Sequence, residues 1–165
     1  IRNQATLGGL LAHADPAADL PPVLLALDAE VELAGPAGRR RLPLAALAVD
    51  VFETTIAPDE LLVAVHLPPP PPAGRRVVSV AFRPRSAEDY ATVSVAVRVD
   101  DDGHGGLAGA RIALGSVAGT AVRGLTGTVA GWRIGSLVLI RSRLLRTGAG
   151  RWSALLDYRI RVLAA

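Results

Sequence analysis

Residues able to bear chemistry gather near the start of the chain, where Thr6, Gly8 and Gly9 of the run TLGG precede His13, Asp15 and Asp19. Paired glycines remove two Cβ atoms and permit positive φ, so backbone N–H groups can close on a bulky anion such as a phosphate. A TxGG run taken alone also describes an ordinary tight turn. His13 near Thr6 and Asp15 has the residue types of a nucleophilic triad, but no nucleophile elbow or oxyanion-hole context accompanies it. His13, His66 and His104 fall in a loop, a strand and a Gly-rich turn, without a metal-ligand spacing. No complete GxGxxG fingerprint is present, and the GHGG at 103–106 sits between two strand patterns as a hairpin loop.

Composition narrows the classes. A chain of 165 residues, half of them apolar, can build one medium domain or two small ones. Aromatics make up only 4%, so Val, Leu, Ile and Ala must fill the core. The absence of Cys excludes a disulfide framework and any Cys-ligated zinc or iron–sulfur site within these residues. All 18 basic residues are Arg, and a net charge of +3 is too small to argue for nucleic acid. No charged n-region with a following apolar run is visible at the start, and the apolar run at 137–140 is far short of the ~20 residues of a membrane span. The expectation is a soluble, cytoplasmic protein. With no Met and a start inside a motif, the chain reads as an N-terminally truncated fragment.

The elements that must position these residues follow in order. Residues 16–27 read as a helix with Asp15 as N-cap and Pro16 first, interrupted at Pro21 and Pro22. Leu20, Leu24 and Leu27 fall on one face of it, and Asp19 lies near a helix N-terminus, where a carboxylate is stabilised. Residues 30–33 and 39–42 flank GPAG as a hairpin, with Arg39, Arg40 and Arg41 on a solvated edge. A short helix is expected over 44–51 and a strand over 61–67. The five prolines at 68–72 imply a stiff spacer of about 15 Å and the best domain boundary. Strands follow at 77–83, 91–99 and 110–117. In the second, Val93, Val95, Val97 and Val99 alternate with Thr92, Ser94, Ala96 and Arg98, a period-two pattern that predicts one buried face.

The string RNQATLGGLLAHADPAADLPPVLLALDAEV resembles the second FAD-binding motif of the flavoprotein subunit of molybdenum hydroxylases. That family includes the medium subunits of carbon monoxide dehydrogenase type enzymes and the FAD domain of xanthine dehydrogenase. Its usual form is RNxxTIGGN or RNxGTIGGD followed by an AHADPAAD-like segment. The likeness continues through PDELLVAVHLP, VVSVAFRPRSAEDYATVSVAVRVD and ARIALGSVAGTAVR, covering roughly residues 1–123. It implies an α+β fold: the second half of a PCMH-type FAD-binding domain over 1–72, then a CO dehydrogenase flavoprotein C-terminal-like subdomain over 73–165. The latter would pack a three-stranded antiparallel sheet against helices.

The resemblance also implies a cofactor site. Thr6, Leu7, Gly8, Gly9 and Leu10 would meet FAD, Asp19 would hold one of its polar groups, and Leu62 would lie on the isoalloxazine. Arg83 would sit near the polar edge of the ring, with Tyr90 close by. Leu10 stands where the family has Asn or Asp, which removes a polar contact, and the first, glycine-rich pyrophosphate motif would precede this chain. The implied activity is electron relay: reducing equivalents from a molybdenum site pass through [2Fe–2S] clusters to FAD, then to NAD, oxygen or a quinone. A molybdopterin-binding large subunit and a [2Fe–2S] small subunit would be the partners. The likeness fades beyond Arg123. Residues 124–150 hold no acidic residue and look like an altered segment, while DYRIRVLAA resembles the family's terminal helix. Two other readings stay open: a scaffold that keeps the fold but no flavin, and a basic surface around 134–145 facing nucleic acid, a membrane or a partner.

Overall fold

The structure is a computed structural model. It describes residues 4–86, 89–127, 133–146 and 152–163, the part beyond 124 as backbone only. The TLGG run opens a helix, α1 (Leu7–His13), and is not a loop. Thr6 is the N-cap in extended conformation, and its Oγ1 accepts the Gly9 N–H at 3.0 Å. A threonine there satisfies one of the orphan amides at a helix start. Ala14, at φ 52°, ends the helix. Asp15 closes the next turn by accepting the Ala17 N–H at 2.8 Å, so it is an Asx-turn residue and not a helix cap.

The second helix, α2 (Leu20–Ala26), begins after Asp19, not at Pro16. Pro21 and Pro22 open it instead of interrupting it, because first-turn amides need no intrahelical acceptor. Its inner face is Pro22, Leu24, Leu25 and Ala26, while Leu20 is exposed, so the expected Leu20–Leu24–Leu27 face is not the buried one. Strands β1 (Glu30–Gly35) and β2 (Gly38–Pro43) form the expected hairpin, with Gly38 at φ 113° after the two-residue turn. A 3₁₀ turn (Leu44–Ala46), β3 (Ala48–Asp50) and β4 (Glu53–Thr54) replace the helix expected over 44–51. Pro43 precedes that turn, and the β-branched Val49 and Val51 suit extended backbone better than a helix. Strand β5 (Leu61–His66) then pairs with β1, giving a sheet ordered β2-β1-β5.

After the proline run, β6 (Arg75–Phe82), β7 (Val93–Asp101), β8 (Leu107–Gly115) and β9 (Val122–Gly127) make an antiparallel sheet in sequence order, one strand more than expected. Asp102 organises the β7–β8 loop: its Oδ1 accepts the N–H groups of His104 and Gly106, which holds its pKa below the usual range. Instead of the one buried face expected of β7, both faces hold buried residues. Val93 and Val95 are buried, yet so are Ser94, Ala96, Arg98 and Asp100 on the other face, because α2 packs there on β7, β8 and β9. The ends of the chain differ from the expected helices. β10 (Arg133–Arg146) and β11 (Trp152–Leu163) pair as an antiparallel hairpin. The run YRIRV alternates with period two, which favours a strand over a helix. The basic face expected over 134–145 concerns side chains outside the described residues.

Leu11, Leu24, Leu25, Ala26, Ala29, Val31, Leu44, Leu47, Ala96 and Ala113 form a single core cluster. It joins residues from both sides of the proline run through α2. Positions 96 and 113 must be small, since both face the helix at zero exposure.

Candidate functional site

The expected cofactor residues assemble in two groups. The first is built on α1 and β5. Gly8 backs onto β5: a Cβ there would lie 3.4 Å from the Leu62 carbonyl oxygen and 3.7 Å from Leu62 Cδ2. At Gly9 a Cβ would lie 3.0 Å from Thr6 Oγ1, so glycine keeps the cap closed. Neither glycine has positive φ, contrary to the turn reading; they are there for close approach. Thr6, Leu7 and Gly9 are exposed, and Gly8 and Leu62 half-buried, which leaves this α1 surface open. Leu10 points inward and packs against the core.

The second group is built on the start of α2 and the end of β6. Asp19 stands at the N-cap position but makes no side-chain cap. Its carboxylate instead receives Arg83 Nη2 at 2.6 and 2.7 Å. Arg83 Nε donates to the Asp89 carbonyl at 2.9 Å, so the guanidinium is held from two sides, three-quarters buried. The Asp89 carboxylate accepts the Tyr90 N–H and pairs with Arg85. Tyr90 itself is 70% exposed, free to lie against a ligand. Asp89 was not among the residues singled out from sequence; the only signal was its place beside Tyr90.

Other sequence candidates go elsewhere. His13 stacks on Phe52 at 4.9 Å between ring centroids, and Phe52 N–H donates to the Ala14 carbonyl, so this histidine braces the end of α1. Among the described residues no group of three or more His, Asp and Glu could hold a metal. The arginines of β2 are exposed but not merely solvated. Glu32 accepts Arg39 Nη1 at 2.8 Å, Arg41 Nε at 3.3 Å and His66 Nε2 at 2.8 Å. These donors, Arg39 first, hold the Glu32 carboxyl down at about 2. Glu60, gripped by Arg40 through two bonds of 2.7 Å and by the Ala57 N–H, is likewise lowered to about 2. A shallow pocket lined by Leu11, Asp15, Leu25, Leu44 and Ala121 touches none of the expected cofactor residues. No helix among the described residues is long and apolar enough to cross a membrane.

Residues 1–70 match the family described as FAD binding domain in molybdopterin dehydrogenase. Among known proteins, the alpha subunit of the 6-hydroxypseudooxynicotine dehydrogenase complex of Paenarthrobacter nicotinovorans is 44% identical over 123 residues, 74% of this chain and 41% of that one. A xanthine dehydrogenase FAD-binding subunit of Escherichia coli is 32% identical over 123 residues, 74% of this chain and 42% of its own. The solved carbon monoxide dehydrogenase of Hydrogenophaga pseudoflava superposes with a TM-score of 0.68 at 34% identity, over 74% of this chain and 42% of that one. The chain thus spans about two-fifths of the length of these relatives. Sequence, motif and the α+β arrangement of antiparallel sheets with few helices agree: residues 1–70 belong to the family of FAD binding domains in molybdopterin dehydrogenases, and over 74% of its length the chain is similar to FAD-binding and medium subunits of the xanthine dehydrogenase and carbon monoxide dehydrogenase type.

Proposed function

We propose that this chain forms part of the FAD site in the flavoprotein subunit of a molybdenum hydroxylase and serves electron transfer there. The observation that carries the reading is the seating of Gly8 directly on Leu62, which brings two of the expected site residues together across 54 residues of sequence. The residues present fit such a cofactor. The α1 start, with Thr6, Leu7 and Gly9 exposed, offers first-turn amides beside the half-buried Leu62, and Arg83, fixed by Asp19 and Asp89, offers a held cation beside the exposed Tyr90.

When bound, FAD supplies the redox chemistry, accepting reducing equivalents from iron–sulfur clusters and passing them to NAD, oxygen or a quinone. The chain's own residues bind and orient. Thr6 and the α1 backbone hold polar oxygen atoms, Leu62 gives apolar contact, and Arg83 favours negative charge at a nearby edge. A molybdopterin-binding subunit and a [2Fe–2S] subunit are the partners this role requires.

The test is the visible absorption of the purified chain after incubation with FAD and desalting. Retained flavin bands that are lost in a Gly8→Leu variant, with its far-UV dichroism unchanged, are expected. A folded parent chain that retains no flavin overturns the reading in favour of a scaffold that keeps the fold alone. The inward-packed Leu10, where the family has a polar residue, is the feature that favours that second reading.

A further inference from the structure

The sheet face beneath α2 carries charge as well as core. Asp28 follows α2 in left-handed conformation, at φ 56°, and turns its carboxylate toward three strands. Its Oδ2 meets Arg98 Nη1 of β7 and Arg111 Nε of β8, each at 2.6 Å, and its Oδ1 meets Arg123 Nη2 of β9 at 3.2 Å. Arg98 also reaches Asp100 at 3.0 Å, and Asp100 pairs with Arg75 at 2.7 Å. Four guanidiniums therefore share two carboxylates, a surplus of two positive charges. Arg98 and Arg111 are directly opposite in the β7–β8 register, an arrangement of like charges that opposes pairing unless an anion compensates.

The compensation present is incomplete. The Arg98 side chain is only 7% exposed, and its buried Nε–H has no acceptor. Arg111 Nε also lacks a hydrogen-bond partner, because its 2.6 Å approach to Asp28 is off the N–H direction. On the outer side, Arg111 and Arg123 stay 29% and 36% exposed, so the cluster is open to solvent where its charge surplus lies. A guanidinium is weakly hydrated and presents a fork matched to tetrahedral oxyanions.

We propose that Arg98, Arg111 and Arg123 around Asp28 form a binding site for a dianionic oxyanion of the phosphate class. Arg111 and Arg123 grip the ligand, and Arg98, anchored by Asp28 and Asp100, positions them. Asp28 competes with the ligand and sets the affinity low enough for exchange. The site lies at the far end of α2 from Asp19 and does not depend on the flavin reading.

The probe is inorganic phosphate, titrated into the full chain by calorimetry at constant ionic strength, with chloride as the control. Saturable binding is expected for the parent, weakened about tenfold or more in Arg123→Gln through loss of a charge-assisted bond. Asp28→Asn, which removes the competing carboxylate, is expected to tighten binding. Should that variant not fold by circular dichroism, Arg111→Gln replaces it, with weakening expected. No saturable binding by the parent overturns the assignment. So does equal binding by Arg123→Gln or Arg111→Gln, or a folded Asp28→Asn that binds no more tightly than the parent.

Discussion

Gly115 is the position where one methyl group has the clearest consequence. It lies on β8 opposite Ser94 of β7, directly under α2. A Cβ there would collide with Ser94 Oγ and lie 2.6 Å from Pro22 Cγ. Carbon atoms pack best at about 3.5–4.0 Å, so the overlap with the proline ring is roughly 1 Å. The serine can rotate its hydroxyl, but Pro22 is fully buried and its ring can yield only by a change of pucker against close-packed neighbours. In extended backbone, Gly→Ala stabilises by about 0.4–1 kcal/mol through the unfolded chain. Overpacking destabilises by about 1–3 kcal/mol, so the contact wins and Gly115→Ala should lose roughly 1–2 kcal/mol. For a chain of this size that is a Tm lower by about 2–8 °C. The assay is a thermal melt followed by far-UV circular dichroism, with a urea melt for the free energy. A variant that melts at or above the parent would refute the reasoning, since α2 could then not lie in contact with β8.

Leu33, at zero exposure in the middle of β1, should lose about 2–5 kcal/mol on truncation to Ala, read as a lower urea midpoint with unchanged slope. Thr6→Ala removes the α1 cap and should destabilise by about 1 kcal/mol, with faster amide exchange confined to the first turn. Glu32 and Glu60 titrate near 2 when folded, below their ordinary 4.5, so the stability they contribute is complete above about 4.5 and lost as pH falls toward 2. The urea midpoint should drop across that window, and less steeply in Glu32→Gln; equal slopes would contradict the pairing. Arg83→Gln frees Asp19 and should weaken FAD retention about tenfold while the melting curve moves little, because the pair is partly exposed.

Much of the architecture was legible because it is local. The β1–β2 hairpin follows from GPAG between two short segments, EVEL and RRRL, and β5 and β7 from their β-branched residues. Other elements were misread where local signals compete. Pro21 and Pro22 break a helix in its interior but favour its first turn, and only the packing of α2 on the sheet chose the second. The residues TLGG suit a turn or a capped helix equally, and the close approach of β5 decided for the helix. YRIRV carries a strand period that the likeness to a terminal helix obscured.

The sequence by itself determined the family, the cofactor class and the residues expected to meet it, because a contiguous motif is visible without folding. Only the tertiary structure decided which of those residues meet. The bond between Asp19 and Arg83 spans 64 positions, and that between Asp28 and Arg98 spans 70. From sequence Asp19 was placed only near a helix N-terminus, and Asp28 was not singled out at all. An ion pair depends on distances of a few ångströms, and such distances are set by strand register and helix packing, which no local pattern encodes.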